Sequence, residues 1–235
     1  AFYTAGYHNK EQQIPAKPNA LFKIASISKL YVAVAITRLA YENQIDLNQP
    51  LSDYFPELIG SIENADKITL RMMVQHRSGI PNFTDNPDYW KNQPNTNIDV
   101  LTYALHLPAE FEPNKDYGYS NTNYLLLSRI IEQVTGGSRQ DYFKQEILIP
   151  LGLNHTYGSL SEVNIDDVMS GYYVGIDEDF KYEDNGMMLA TAADVGTFLR
   201  ALNNGTLLNE QEMEIYTSLY EFNHGELSCR LPMSG

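Results

Sequence analysis

The 235-residue sequence has a single cysteine, Cys229, which excludes an internal disulfide. Its five histidines are scattered, and no Cys/His grouping has the spacing of a zinc site. No apolar run approaches the length needed to cross a bilayer. Basic residues are few, 16 Lys and Arg against 30 Asp and Glu, for a formal net charge of −14. That balance argues against nucleic acid, whose phosphates demand a basic footprint, and against an anionic membrane surface. The acidity is spread (Glu57, Glu63, Asp66, Asp166, Asp167, Asp177, Glu178, Asp179) as on a solvated surface. Repeats, linkers and low-complexity tracts are missing too. The chain opens on a strand-like AFYTAGY. The expectation is a periplasmic or extracellular protein whose leader has been removed.

What is present is enough apolar material for a full core. At 43% hydrophobic, the chain can form one large domain or two intimate ones. Seventeen tyrosines are expected to divide between half-buried packing and the lining of a groove. Strands are expected from Ala1 to Tyr7 and from Leu21 to Ile24, separated by a polar turn at His8-Asn9-Lys10. The run Lys29 to Asn43 is apolar on nearly every side and predicts a buried central helix.

Capping signals predict a short helix after Thr69, one over Asn97 to Leu107, and a long one from Ser120 to Gly136. Further helices are expected after Ser138 and Thr191, and over Glu210 to Ser218. Val168 to Ile176 and Phe180 to Tyr182 read as strands around an acidic turn. The order predicts an α+β fold, an antiparallel sheet flanked by helices. A mixed lobe comes from residues 1–45 and 166–235, with an all-helical lobe (46–165) inserted.

Two clusters carry chemistry. In Ser26-Ile27-Ser28-Lys29, positions three apart share a helical face, so Ser26 Oγ and Lys29 Nζ can meet across one turn. A serine hydroxyl is a poor nucleophile without an adjacent base, and a lysine amine can be that base when its surroundings favour the neutral form. The pattern is loose, and a serine at a helix start also serves as a plain N-cap. Its setting, a helix too apolar for a surface, sharpens it.

The second cluster is Tyr119-Ser120-Asn121-Thr122-Asn123, at the start of the long helix. There free N–H groups and the helix dipole favour negative charge. Tyr119 can pass a proton, and Asn121 offers a donor and an acceptor to a substrate amide or to Lys29. Ser120 as cap and Asn in a turn are the simpler readings of the same residues.

Together these segments resemble the serine β-lactamase and penicillin-binding-protein superfamily, in particular its class C β-lactamase, D-alanyl-D-alanine carboxypeptidase and esterase branch. The likeness runs through Leu21 to Lys29, Ile68 to Leu70 with Gln75 to Pro81, Tyr119 to Tyr124, and Gly186 to Asp194. It implies that Ser26 is acylated, with Lys29 as its base partner and its own N–H as half of an oxyanion hole. Tyr119 would relay protons and Asn121 bind the substrate amide, at an active site between the two lobes, without metal or cofactor. His76, His106 and His155 are then structural.

The family's third element is Lys-Thr-Gly or His-x-Gly. Asn223-His224-Gly225-Glu226 stands nearest, without the middle residue, and assigns substrate binding to His224 and Gly225. Family members continue beyond the equivalent of Gly235, so C-terminal strands are expected to be missing. An edge so opened invites a strand-exchanged or sheet-edge homo-oligomer. The resemblance implies a hydrolase acting on a D-alanyl peptide, β-lactam or ester. The alternative is a ligand-binding or sensing domain of the same fold.

Overall fold

The computed structural model describes residues 3–91, 99–172, 179–183, 186–220, 223–224 and 227–228. The first strands, Tyr7–Asn9 (β1) and Ile14–Pro15 (β2), pair antiparallel. The strand therefore lies later than expected and takes in His8 and Asn9. The His8 ring reaches the Asp166 carbonyl at 3.0 Å, and Asn9 Oδ1 accepts the Gln12 N–H to form the turn beyond it.

Phe22–Lys23 (β3) leads through a 3-10 turn, Ala25–Ile27, into Ser28–Tyr41 (α1). Residues 31–37 and Leu39 are buried around the whole helix, as its unbroken apolar run demands. Short helices follow at Leu51–Tyr54 (α2) and Leu70–Val74 (α3), the latter capped by Thr69 accepting from Met72 N–H at 3.3 Å. Pro87–Lys91 (α4) was not foreseen. The helix expected over 97–107 reduces, among described residues, to a 3-10 turn at Val100–Tyr103. Its cap is Asp99, and left-handed His106 (φ 60°) and Pro108 end any continuation.

Asn121–Thr135 (α5) stops at Gly136, whose φ of 69° allows its N–H to close on Glu132 O at 2.9 Å. Ser138 caps Arg139–Phe143 (α6), which runs through a π-turn into Ile149–Leu151 (α7). Thr156–Tyr157 (β4), Leu189–Ala190 (β5), Ala192–Asn203 (α8, capped by Thr191) and Glu210–Ser218 (α9) follow. Asn223–His224 (β6) and Leu227–Ser228 (β7) pair antiparallel. Among the described residues, 168–172 and 180–182 form no named strand where strands were expected, and Tyr172 makes one antiparallel bridge to Asp179. Val168 makes one parallel bridge to Leu21, and residues 173–176 lie outside the described residues. Phe180–Tyr182 is a 3-10 turn, because Asp179 caps it by accepting the Lys181 N–H at 3.0 Å.

The chain divides into two compact units, and the division falls inside α1, after Tyr31. Among described residues one unit draws on 3–31 and 138–207. It holds an antiparallel sheet of order β3-β5-β4, in which Phe22 pairs with Ala190 and Lys23 with Leu189. Leu21, Val168 and Leu189 form its core with Tyr157, Leu160, Val163 and Ile165 packed against them. Tyr31 stacks on Phe198 with ring centroids 3.9 Å apart, and burial followed by the Asp194 charge pushes its phenol above the usual range. The other unit draws on 32–91, 99–137 and the residues from Leu208 onward. It is mainly helical, with Leu126, Leu127, Ile130 and Ile131 of α5 fully buried.

Candidate active site

Ser26 owes its position to the turn between β3 and α1. Ile24 N–H is held by Met188 O at 3.0 Å, and Ala25 then adopts a left-handed φ of 44°. A residue with a Cβ is strained there, a state that persists only where the surroundings impose it. Ser28 Oγ donates back to Ala25 O at 2.7 Å and locks the reversal. Ser26 thus lies in the 3-10 turn ahead of α1 rather than at its cap, and it is exposed. Lys29 Nζ lies 3.4 Å from Ser26 Oγ, as the spacing of three residues predicts. The distance is long for a hydrogen bond, as such contacts often are before substrate binds. The nearby Lys23 is committed elsewhere. Its ammonium donates to the Phe180 and Glu183 carbonyls and lies 4.3 Å from the Phe180 ring centroid.

Tyr119 and Asn121 belong to the other unit, where the 76–84 loop is bonded to the start of α5. Ser78 Oγ donates to Asn123 Oδ1 at 2.7 Å, Thr122 Oγ1 to Pro81 O at 2.7 Å, and Phe83 N–H to Thr122 Oγ1 at 3.1 Å. His76 is buried in a left-handed conformation (φ 56°). Ser120 N–H can only donate, so the His76 Nδ1 it meets at 3.1 Å must carry the lone pair. The His76 ring lies 4.6 Å from the Tyr119 ring and 5.1 Å from that of Tyr124. Burial, ahead of the neighbouring tyrosines, pushes the Tyr124 phenol up, and it donates to Val74 O.

Ser120 holds the N-cap position of α5, but its side chain does not cap. Its hydroxyl donates to Pro81 O, and the Asn121 N–H is taken by Asn82 Oδ1 at 3.0 Å. Asn82 was not singled out from sequence, and it fixes more than the cap. Its Nδ2 donates to Asp85 Oδ1 at 2.9 Å, so its oxygen faces Asn121. The Asn121 atom 3.2 Å from that oxygen must then be Nδ2, which also donates to Thr84 Oγ1 at 3.2 Å. Asn121 Oδ1 is left turned toward the Tyr119 hydroxyl, which donates to it at 3.4 Å. In denaturant unfolding, Asn82→Ala should cost about 1–2 kcal/mol and more than Ser120→Ala, because it removes the true cap.

Glu110 lies beside this loop; burial and then the Asp85 charge raise its carboxyl above the usual range. A carboxyl raised in the folded state holds its proton longer there, so its contribution to stability falls as pH rises through that value. Glu110→Gln should therefore melt higher than the parent at pH 7, and the gap should close once the pH falls below about 4, where both states are protonated.

His224 is the last residue of β6, where it pairs with Leu227, and Gly225 lies outside the described residues. Among the described residues no three His, Cys, Asp or Glu side chains gather as metal ligands, and no helix is long and apolar enough to cross a membrane.

Along most of its length the chain is similar to known proteins. The chain is 30% identical over 254 aligned residues to penicillin-binding protein 4* of Bacillus subtilis, covering 95% of this chain and 54% of that protein. The chain therefore spans about half the length of that curated relative. The structure of a penicillin-binding protein from Bacillus halodurans superposes with a TM-score of 0.77 at 25% identity, over 90% of this chain and 69% of that one. D-amino acid amidase from Ochrobactrum anthropi, solved with D-phenylalanine, gives 0.74 at 26% identity, over 89% of this chain and 64% of that one. The signature of the Beta-lactamase family spans residues 1–223, taking in both the Ser26 turn and the Tyr119 helix start, and the chain belongs to that family.

Proposed function

We propose that this protein is a serine hydrolase that forms an acyl-enzyme on Ser26. The carrying observation is the approach of Lys29 Nζ to within 3.4 Å of Ser26 Oγ, in a turn strained at Ala25. In this reading the Lys29 amine takes the Oγ proton as Oγ attacks the substrate carbonyl. The Ser26 N–H is one donor to the developing oxyanion, a kind of contact worth about 3 kcal/mol. Collapse of the tetrahedral intermediate breaks the bond to the leaving nitrogen or oxygen, which takes, through Tyr119, the proton that Lys29 received. Water then attacks the ester on Ser26, its proton passes by the same route to the departing Ser26 Oγ, and the acid is released. Asn121 orients the substrate through an amide whose own direction Asn82 and Thr84 fix.

The reading asks both residue pairs to serve one substrate, and His224 and Gly225 to complete its binding. Its substrate class is the amide, peptide or ester of a D-configured amino acid, with D-alanyl-D-alanine carboxypeptidase-like or esterase activity favoured over dedicated β-lactam hydrolysis. The amidase and penicillin-binding relatives support that class.

The test is a panel of D-amino-acid amides, a D-alanyl-D-alanine peptide, chromogenic esters and a chromogenic cephalosporin, each run with the parent and with Ser26→Ala. Turnover of at least one, abolished by Ser26→Ala, is the expected result. Turnover that survives the substitution, or none on the whole panel, would overturn the reading.

A further inference from the structure

One residue in the loop before α5 holds the chain around Tyr119 at three points. His76 has a left-handed φ of 56°, a conformation costly for a residue with a Cβ. That backbone turns both its carbonyl and its ring toward the segment that carries Tyr119. The His76 carbonyl accepts the Gly118 N–H at 3.0 Å, and its Nδ1 accepts the Ser120 N–H at 3.1 Å. The residues on either side of Tyr119 are therefore both tied to His76. The imidazole also lies against the Tyr119 ring, with centroids 4.6 Å apart and planes at 31°.

The imidazole is fixed in its turn. Tyr124 lies 5.1 Å from it, and Tyr117 meets it edge-on at 6.0 Å and 75°. Ser78 Oγ receives the Ile80 N–H and donates to Asn123 Oδ1. The Asn123 atom 3.5 Å from His76 Nδ1 is then Nδ2, a second donor. Two donors on Nδ1 demand a lone pair there and place the ring hydrogen of the neutral imidazole on Nε2. Tyr119 itself is 40% exposed, and its hydroxyl donates to Asn121 Oδ1 at 3.4 Å. A phenol so exposed has rotamers to lose, and a rigid neighbour keeps it in one. All these residues belong to the mainly helical unit.

We propose that His76 is a positioning residue for Tyr119, holding the phenol on Asn121 through its carbonyl, its Nδ1 and its ring face. This rests on the reading of Tyr119 as the proton relay and adds to it the group that orients the relay. Misplacing a reacting group by about 1 Å can cost about 10²-fold in rate, so the effect should appear in kcat.

Three measurements test it. Nitrogen NMR of the parent at mildly alkaline pH should show the His76 hydrogen on Nε2, and a hydrogen on Nδ1 overturns the clamp. On a substrate turned over at Ser26, His76→Phe keeps a ring without an acceptor and should lower kcat at least about tenfold. His76→Asn, whose Oδ1 can receive the Ser120 N–H, should lose less. In a Tyr119→Phe background neither substitution should change kcat by more than about twofold, because no hydroxyl is left to position. Equal losses in both backgrounds would reduce His76 to a structural role and overturn the proposal, as would an unchanged kcat in the Tyr119 parent. His76→Asn completes the same cycle if His76→Phe does not fold. If no substrate is turned over at Ser26, the proposed function fails on its own. The clamp is then decided by NMR contacts between the His76 and Tyr119 rings in the parent, whose absence overturns it.

Discussion

Lys29→Ala should slow acylation of Ser26 by at least about 10³-fold, the scale of losing a positioned base, or roughly 4 kcal/mol on the barrier. Three observations motivate so large an effect. Ser26 is exposed and has no intrinsic reactivity at its free pKa. Lys29 Nζ approaches its Oγ across one turn. The other lysine in the segment, Lys23, is bound to two carbonyls of the 180–183 turn and faces the Phe180 ring, so it is poorly placed to substitute. Single-turnover rates with a fluorophosphonate and with an ester substrate give the number. A variant within about tenfold of the parent would remove Lys29 as the activating base, whatever the status of Ser26.

Gly79→Ala should be the most destabilising small substitution near the site. Gly79 has a φ of 75°, where an alanine is strained, and its added Cβ would lie 2.0 Å from the Phe111 carbonyl oxygen. That oxygen is backbone and has no rotamer to move. Gly79 O also receives the Glu110 N–H at 2.9 Å, so the two strands of chain are already in their closest register. A cost of about 3 kcal/mol follows from the strain and overlap together. For a chain of this length that is a fall of roughly 6–12 °C in Tm. The displaced loop carries His76 and Asn82, so activity should fall with stability. A melting point within about 1 °C of the parent would mean that the 76–84 loop is not packed as described.

The parts of this molecule legible in its sequence are those fixed by near neighbours. Thr69, Ser138 and Thr191 cap their helices as expected, because each cap is a bond to an N–H three residues on. The approach of Lys29 to Ser26 is equally local. Ser120 shows where local reading stops. It has the right residue type at the right place, but Asn82, 39 residues from Asn121, supplies the acceptor instead. Nothing near Asn82 in the chain announces that role, and Thr84 is hidden for the same reason. A cue did exist in Gly79-Ile80-Pro81, a rigid turn with too specific a backbone to be a mere connection.

The strands were harder still. β4 and β5 are two residues each, too short to show an alternating period, and are defined by pairing across the sheet. Phe180 to Tyr182 has strand-like side chains, but one carboxylate at Asp179 was enough to bend it into a 3-10 turn. The fold class survived these local errors because the order of buried helix, helical middle and late helices did not depend on them.

The most direct test is the mass of the protein after brief mixing with a slowly hydrolysed acyl donor, followed by mapping of the modified peptide. Acyl transfer predicts one added acyl group on the peptide holding Ser26, gained quickly and lost with time in the parent. No such mass should form in Ser26→Ala. A stable acyl group on any other residue, or the same labelling with Ser26 removed, would contradict the account at its root.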